Sequence, residues 1–250
     1  MVKARFDERP EGMATMSPDM PKAKNYYNWI ISKFLPYLGD NILDVGGGYG
    51  AHLEYILPEY GRVTSIDLSE TSVQFMRERF RNYPDFQAIC IDFGQDEALT
   101  HLIESKFDTI TCLNVLEHIE DDLTVLKDMY AILQAQTGVL LLQVPAHEWL
   151  YGTLDIQAGH YRRYSLAYLS DILTKAGFDI VDICYFNSFG ALPWFINARV
   201  LKSKLEADGV NLQIRLFDRY LVPLLRNVES RIKLPFGQSL MAVAKVKKGR

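Results

Sequence analysis

Four glycines in five positions, Gly46, Gly47, Gly48 and Gly50, follow the apolar run Ile42-Leu43-Asp44-Val45. Glycine allows positive φ and lets backbone N–H groups approach a ligand closely, so the loop is suited to a nucleotide-like molecule. The stretch 51–57 reads as a helix, whose N-terminus would offer free N–H donors to an anionic group. Further along, Asp67, Asp92 and Asn114 each end a short apolar run. A second group, His118, His147 and His160 with Tyr151, Arg162 and Arg163, has the chemistry for an acceptor substrate. A histidine titrating near neutral pH can take a proton from a hydroxyl or amine, and arginine can hold an anion. His160 is the first candidate for the base, with Asp155 placed to orient its ring; His147 and His118 follow. Each of these histidines also has a plain structural reading as a loop residue bonded to backbone, and the arginines have one as ion-pair partners of Asp155 or Glu148.

The glycine loop fits two patterns. Gly46-x-Gly48-x-x-Ala51 satisfies the dinucleotide fingerprint. Asp44-x-Gly46-x-Gly48-x-Gly50 equally satisfies the pattern of S-adenosylmethionine sites. Asp67 lies 17 residues after Gly50, where an acid can accept from ribose hydroxyls. Asp92-Phe93 suits adenine, the carboxylate accepting from the exocyclic amine and the ring packing on the base.

Five β–α units running from 41 to about 145 are expected to position these groups, the first strand ending in Asp44 and the others at 62–66, 87–91, 107–113 and 138–145. Asp67, Asp92 and Asn114 then stand at strand C-terminal ends, the edge where open α/β sheets bind ligands. Residues 25–35 show helical spacing of large apolar groups; this helix either lays Tyr26 or Tyr27 over a cofactor or merely covers the sheet. The segment 145–165 has neither helical nor strand period and reads as a specificity loop.

Hydrophobic residues make up 48% and charged residues 23%, ordinary globular values. A net charge of −4 argues against a dedicated nucleic-acid binder. Cys90, Cys112 and Cys184 lack metal-site spacing and read as small buried hydrophobes. The N-terminus has no apolar h-region and no run reaches membrane-span length, so a cytoplasmic location is expected. Residues 1–24 read as a flexible leader ahead of a single domain, 25–250.

Taken together, Asp44-Val45-Gly46-Gly47-Gly48-Tyr49-Gly50, Asp67, Asp92-Phe93 and Asn114-Val115-Leu116-Glu117-His118 resemble the motifs of class I S-adenosylmethionine-dependent methyltransferases over about 25–186. The segment 145–165 resembles a bacterial subgroup of type 11 and type 23 character, often associated with glycan and natural-product pathways. The resemblance implies an α/β, Rossmann-like sheet of seven mostly parallel strands with an antiparallel last strand. It implies S-adenosylmethionine as cofactor and S-adenosylhomocysteine as product. Asp44, Gly46, Gly47, Gly48, Gly50, Asp67, Leu68, Asp92, Phe93, Asn114, Val115 and Tyr26 are the expected cofactor residues, and Tyr151, Arg162 and Arg163 the expected acceptor residues. No metal is expected. The implied partner is a small-molecule or glycan-type acceptor methylated on O or N.

The chain departs from the simplest family pattern at about 187–238, a long insertion between strands six and seven. One helix is expected from Pro193, and one or two more over 212–232, kinked or broken at Pro223. The insertion could cap the pocket, form a homodimer face, rest on a membrane through Trp194, Phe195, Leu216, Phe217 and Leu221, or add core packing. Two other classes stay open: a nicotinamide-dependent oxidoreductase, and a noncatalytic cofactor-binding member of the fold.

Overall fold

Strand β1 (Asn41–Val45) sits near the middle of one sheet, flanked in parallel by β2 (Arg62–Asp67) and β4 (Thr109–Leu113). The computed structural model describes residues 15–17, 19–93, 96–205 and 207–247. With β3 (Phe86–Cys90), β5 (Val139–Pro145), β6 (Phe178–Phe186) and β7 (Ser239–Val246), the seven strands run in the order β3-β2-β1-β4-β5-β7-β6. β7 is antiparallel to both neighbours, and the other pairs are parallel.

The central strands are apolar on both faces because helices cover both. Along β5, Leu140, Leu142 and Val144 join the core beneath α3 (Asp96–Glu104), α4 (Asp122–Gln134) and α6 (Leu166–Ala176). The alternate residue Leu141 enters the opposite core, with Trp29, Ile30 and Phe34 of α1 (Lys24–Phe34) and Met76 of α2 (Glu70–Arg79). Side chains of successive strand residues point to opposite faces, so one strand feeds two cores. Ser69 caps α2 by accepting from the Ser72 N–H, and Ser165 caps α6 by accepting from Tyr168.

Several expectations need correcting. Residues 51–57 form no α-helix; three-residue bonds such as Leu53 N–H to Gly50 C=O and Ile56 N–H to Leu53 C=O make a 3₁₀ turn at Leu53–Tyr55. Pro58 disfavours helical backbone in the residue before it and leaves too little chain for a stable helix. The loop's donors therefore come from the glycines, without a following α-helix. The segment 145–165 also contains a short helix, α5 (Thr153–Ala158). Cys90 is exposed because β3 is an edge strand, whereas Cys112 is buried and Cys184 half-buried. Of the expected leader, residues 1–14 and 18 lie outside the described residues.

The insertion is helical. It contains α7 (Ala191–Phe195), continued by a π-turn at Ile196–Val200, then α8 (Asp208–Leu216), a π-turn at Phe217–Leu221 and α9 (Val222–Glu229). Pro223 does not break the second run. The widened turn just before it closes with the Val222 N–H on the Phe217 carbonyl, so the ladder changes spacing where proline brings no donor. Asp218, in that turn, accepts from the backbone N–H of Tyr26 at 2.8 Å and ties the insertion to the first turn of α1. No helix among the described residues is long and apolar enough to cross a membrane.

Candidate active site

The C-terminal ends of the parallel strands open into a cavity of about 740 Å³ beneath the insertion. Its floor begins at the glycine loop, whose first two N–H groups donate to the Ile66 carbonyl at 2.8 and 3.2 Å. Gly46 and Gly48 have φ of +76° and +54°, a conformation that favours glycine. A Cβ at Gly47 would overlap Ser65 Oγ and Met76 Sδ, while one at Gly48 would meet only Met16 Cε at 3.5 Å. The loop is thus packed on its back and open toward the cavity.

Asp67 stands beside the loop, 6% exposed. It accepts from the Gly48 N–H at 2.8 Å and the Ser69 N–H at 2.9 Å. A carboxylate offers about four lone-pair sites, so acceptor capacity remains for a ligand hydroxyl. Burial pushes its pKa up, against those backbone bonds. Leu68, Phe93, Asn114 and Val115 also line this end, as do Tyr26 and Tyr27 of α1. The Tyr26 hydroxyl accepts from Gln143 Nε2 at 3.1 Å, and burial pushes its pKa up to about 12.

Three expected cofactor residues lie outside the lining. Asp44 is fully buried behind the loop, accepting from Ser65 Oγ at 2.7 Å and Thr111 Oγ1 at 2.8 Å, with His52 Nε2 at 2.7 Å. Burial opposes its charge, but His52 and these hydroxyls outweigh that and hold its pKa below the usual range. Asp44 therefore braces strand and loop rather than facing a ligand. Gly50 packs against Phe80, and Asp92 is half-buried beside the wall residue Phe93 without lining the cavity.

The opposite end is polar. Glu117 is 1% exposed, and neither of its carboxylate oxygens accepts a hydrogen bond from another residue. Burial pushes its pKa up to about 8. His160 Nε2 lies 3.9 Å from Glu117 Oε1, and the His118 ring meets His160 edge to face at 4.7 Å. His160 Nδ1 bonds Asp155 Oδ1 at 3.0 Å. Burial lowers the His160 pKa more than Asp155 raises it, so the ring is neutral at pH 7. Asp155 is fully buried and is held below the usual range by His160 and Arg163, which outweigh desolvation. An ionised Asp155 needs a donor, which puts the His160 proton on Nδ1 and leaves the Nε2 lone pair facing Glu117.

The arginines differ from expectation. Arg163 reaches the lining, but its Nε donates to Asp155 at 2.7 Å and its guanidinium stacks over Trp194 at 4.7 Å. Arg162 pairs with Asp122 at 2.7 Å and donates to the Glu120 carbonyl, outside the cavity. Both charges are committed to carboxylates within the fold. Tyr151 also lies outside, donating to the His160 carbonyl at 2.8 Å. His147 is removed from the wall, stacked on Tyr185 at 4.9 Å with φ +63°. Glu117, which stands in the quoted Asn114–His118 segment with no role assigned to it, and Trp194 of the roof complete the site. The end of β4 was the available signal for Glu117, and the insertion at 187–238, with capping the pocket among its readings, was the signal for Trp194.

A family model described as a methyltransferase domain matches residues 43–140, the span holding loop, Asp67, Phe93 and Glu117. A ubiquinone biosynthesis O-methyltransferase of Actinobacillus pleuropneumoniae is 32% identical over 117 residues, 45% of this chain and 49% of that protein. A SAM-dependent methyltransferase from Archaeoglobus fulgidus superposes with a TM-score of 0.57 at 21% identity, covering 89% of this chain and 94% of that one. Residues 43–140 match a methyltransferase domain, and the fold is that of the class I S-adenosylmethionine-dependent methyltransferases. A ribosomal RNA small subunit methyltransferase A of Marinobacter nauticus is also similar, 29% identical over 140 residues, 53% of this chain and 50% of that protein. The chain spans about half the length of these curated relatives. In this methyltransferase fold, the site fits S-adenosylmethionine on its own geometry: a glycine cradle open to the cavity, a carboxylate at the end of β2 and an aromatic wall at Phe93.

Proposed function

We propose that this chain methylates an oxygen or nitrogen of a small-molecule acceptor enclosed between the glycine loop and the polar wall. The observation that carries the reading is the single cavity that joins Gly46–Gly48 and Asp67 to Glu117, His118 and His160 under one roof. S-adenosylmethionine, when bound, supplies an activated methyl on a sulfonium, with the C–S electrons staying on sulfur. The chain's own residues then have three tasks. Asp67, Leu68 and Phe93 hold the donor end, and Asn114 and Val115 line the passage beyond it. Tyr26, Trp194 and Phe217 exclude water from above. At the far end the acceptor's hydroxyl or amine meets the wall of Glu117, His118 and His160, where its proton leaves; His160, oriented by Asp155, is the pivotal group. Alignment supplies much of the rate in such a transfer.

The roof and apolar lining favour a compact organic acceptor, with a glycan-type acceptor in second place. The test is parallel calorimetric titration with S-adenosylmethionine, S-adenosylhomocysteine and NADH, followed by methyl-label transfer to a panel of phenols, amines and sugars. Micromolar binding of the two adenosyl compounds and label in one acceptor class is the expected result. Binding of NADH alone would return the loop to its dinucleotide reading.

A further inference from the structure

The polar wall holds more ligating chemistry than proton removal requires. One carboxylate oxygen of Glu117 and one nitrogen each of His118 and His160 lie within 4.8 Å of one another. Glu117 is buried and neither oxygen accepts a hydrogen bond from another residue, so its ionised form lacks the counter-charge that a cation in the wall would supply. Behind the ring, Asp155 binds His160 Nδ1 and leaves Nε2 turned toward Glu117. A carboxylate behind an imidazole is the usual outer shell of a ligating histidine, since it fixes tautomer and ring angle. Asp155 is in turn locked by Arg163 and the Gly152 N–H.

We propose that Glu117, His118 and His160 bind a divalent transition-metal cation, leaving coordination positions open toward the cavity for an acceptor oxygen. Two imidazoles and one carboxylate suit zinc, iron, manganese or cobalt; an all-oxygen set would suit magnesium better. Rotation of the side chains within the wall closes the set, because ligand–metal bonds of about 2.0–2.2 Å bring ligand atoms about 3 Å apart. Such a cation would lower the pKa of a bound acceptor hydroxyl, so that its proton passes to bulk water before the methyl donor closes the site and His160 Nε2 serves as ligand in place of base. The acceptor class narrows to oxygen nucleophiles, a second step that rests on the methyltransferase reading, while binding itself does not.

The experiment uses tag-free, chelator-treated chain titrated with cobalt(II), read by visible absorption, and with zinc(II), read by calorimetry. One equivalent bound at micromolar concentration, with cobalt bands of four- or five-coordinate intensity, is expected. Glu117→Gln and His160→Ala should each weaken it more than tenfold, and His147→Ala, outside the wall, should not. S-adenosylhomocysteine titration of each variant shows that it is folded; His118→Ala serves if Glu117→Gln is not. No stoichiometric binding below millimolar metal, or binding indifferent to Glu117→Gln in the folded variant, overturns the proposal. Metal binding without any S-adenosylhomocysteine binding in the parent chain would instead sink the cofactor reading and leave the metal site standing.

Discussion

Asp44 and Asp67 show how two carboxylates in one motif divide their work. Asp67 faces the cavity, so Asp67→Ala should lower S-adenosylhomocysteine affinity at least tenfold, the loss of one or two charge-assisted bonds, with a stability loss of about 1–3 kcal/mol because the Gly48 and Ser69 N–H groups lose their acceptor. Unchanged affinity in calorimetry would remove it from the site. Asp44 is a structural charge, and its pKa is depressed in the folded state. A depressed acid contributes stability that is present above its unfolded pKa, about 3.9, and is lost as pH falls through the folded value. Asp44→Asn should therefore cost about 3 kcal/mol at pH 7 by urea unfolding, and the gap from the parent chain should close in acid. His160→Ala should reduce turnover about 10²- to 10⁴-fold and leave cofactor affinity intact, as measured by single-turnover kinetics beside calorimetry.

At the scale of elements, the glycine loop and the π-turns set the cavity's two faces. Gly46 combines φ of +76° with Val115 pressed against the place a Cβ would take. Gly46→Ala should destabilise the fold by about 1–3 kcal/mol and weaken cofactor binding in the same variant, seen by unfolding and titration together. The roof depends on Asp218, whose carboxylate caps the first turn of α1 from 192 residues away. The helix reading of 51–57 failed because apolar spacing says nothing of Pro58 or of His52 bonding back to Asp44. At Pro223 the ladder is disturbed, but by a widened turn after which the helical run continues into α9.

Across the whole molecule, two cores hold the sheet rigid and one helical insertion covers its ligand edge. β4 and β5 are buried but for Leu113 and Val139, whereas the insertion exposes Leu192, Val200, Leu201, Tyr220 and Leu224 at about 60% each. Segments with few buried contacts open at low free energy. Hydrogen exchange should accordingly be fast over 191–232 and slow over β4 and β5. Adding S-adenosylhomocysteine should slow exchange at 20–27 and 210–222, the segments that close over the loop; protection confined to 46–68 would mean that the roof does not respond to the cofactor.

The succession of five β–α units, the glycine loop and the carboxylate at the end of β2 were all legible in the sequence, because each depends on local period or on a residue type that backbone geometry demands. The last two strands and the antiparallel placement of β7 rested instead on the family resemblance. What the sequence left open were the partners of side chains far apart in the chain. Arg162 and Arg163 look like anion binders until Asp122 and Asp155 are seen to hold them. His147 and His160 look alike until one stacks on Tyr185 and the other turns to Glu117. Charge pairing and burial are properties of three-dimensional neighbours, so only the tertiary structure could decide which polar groups remain to meet a ligand.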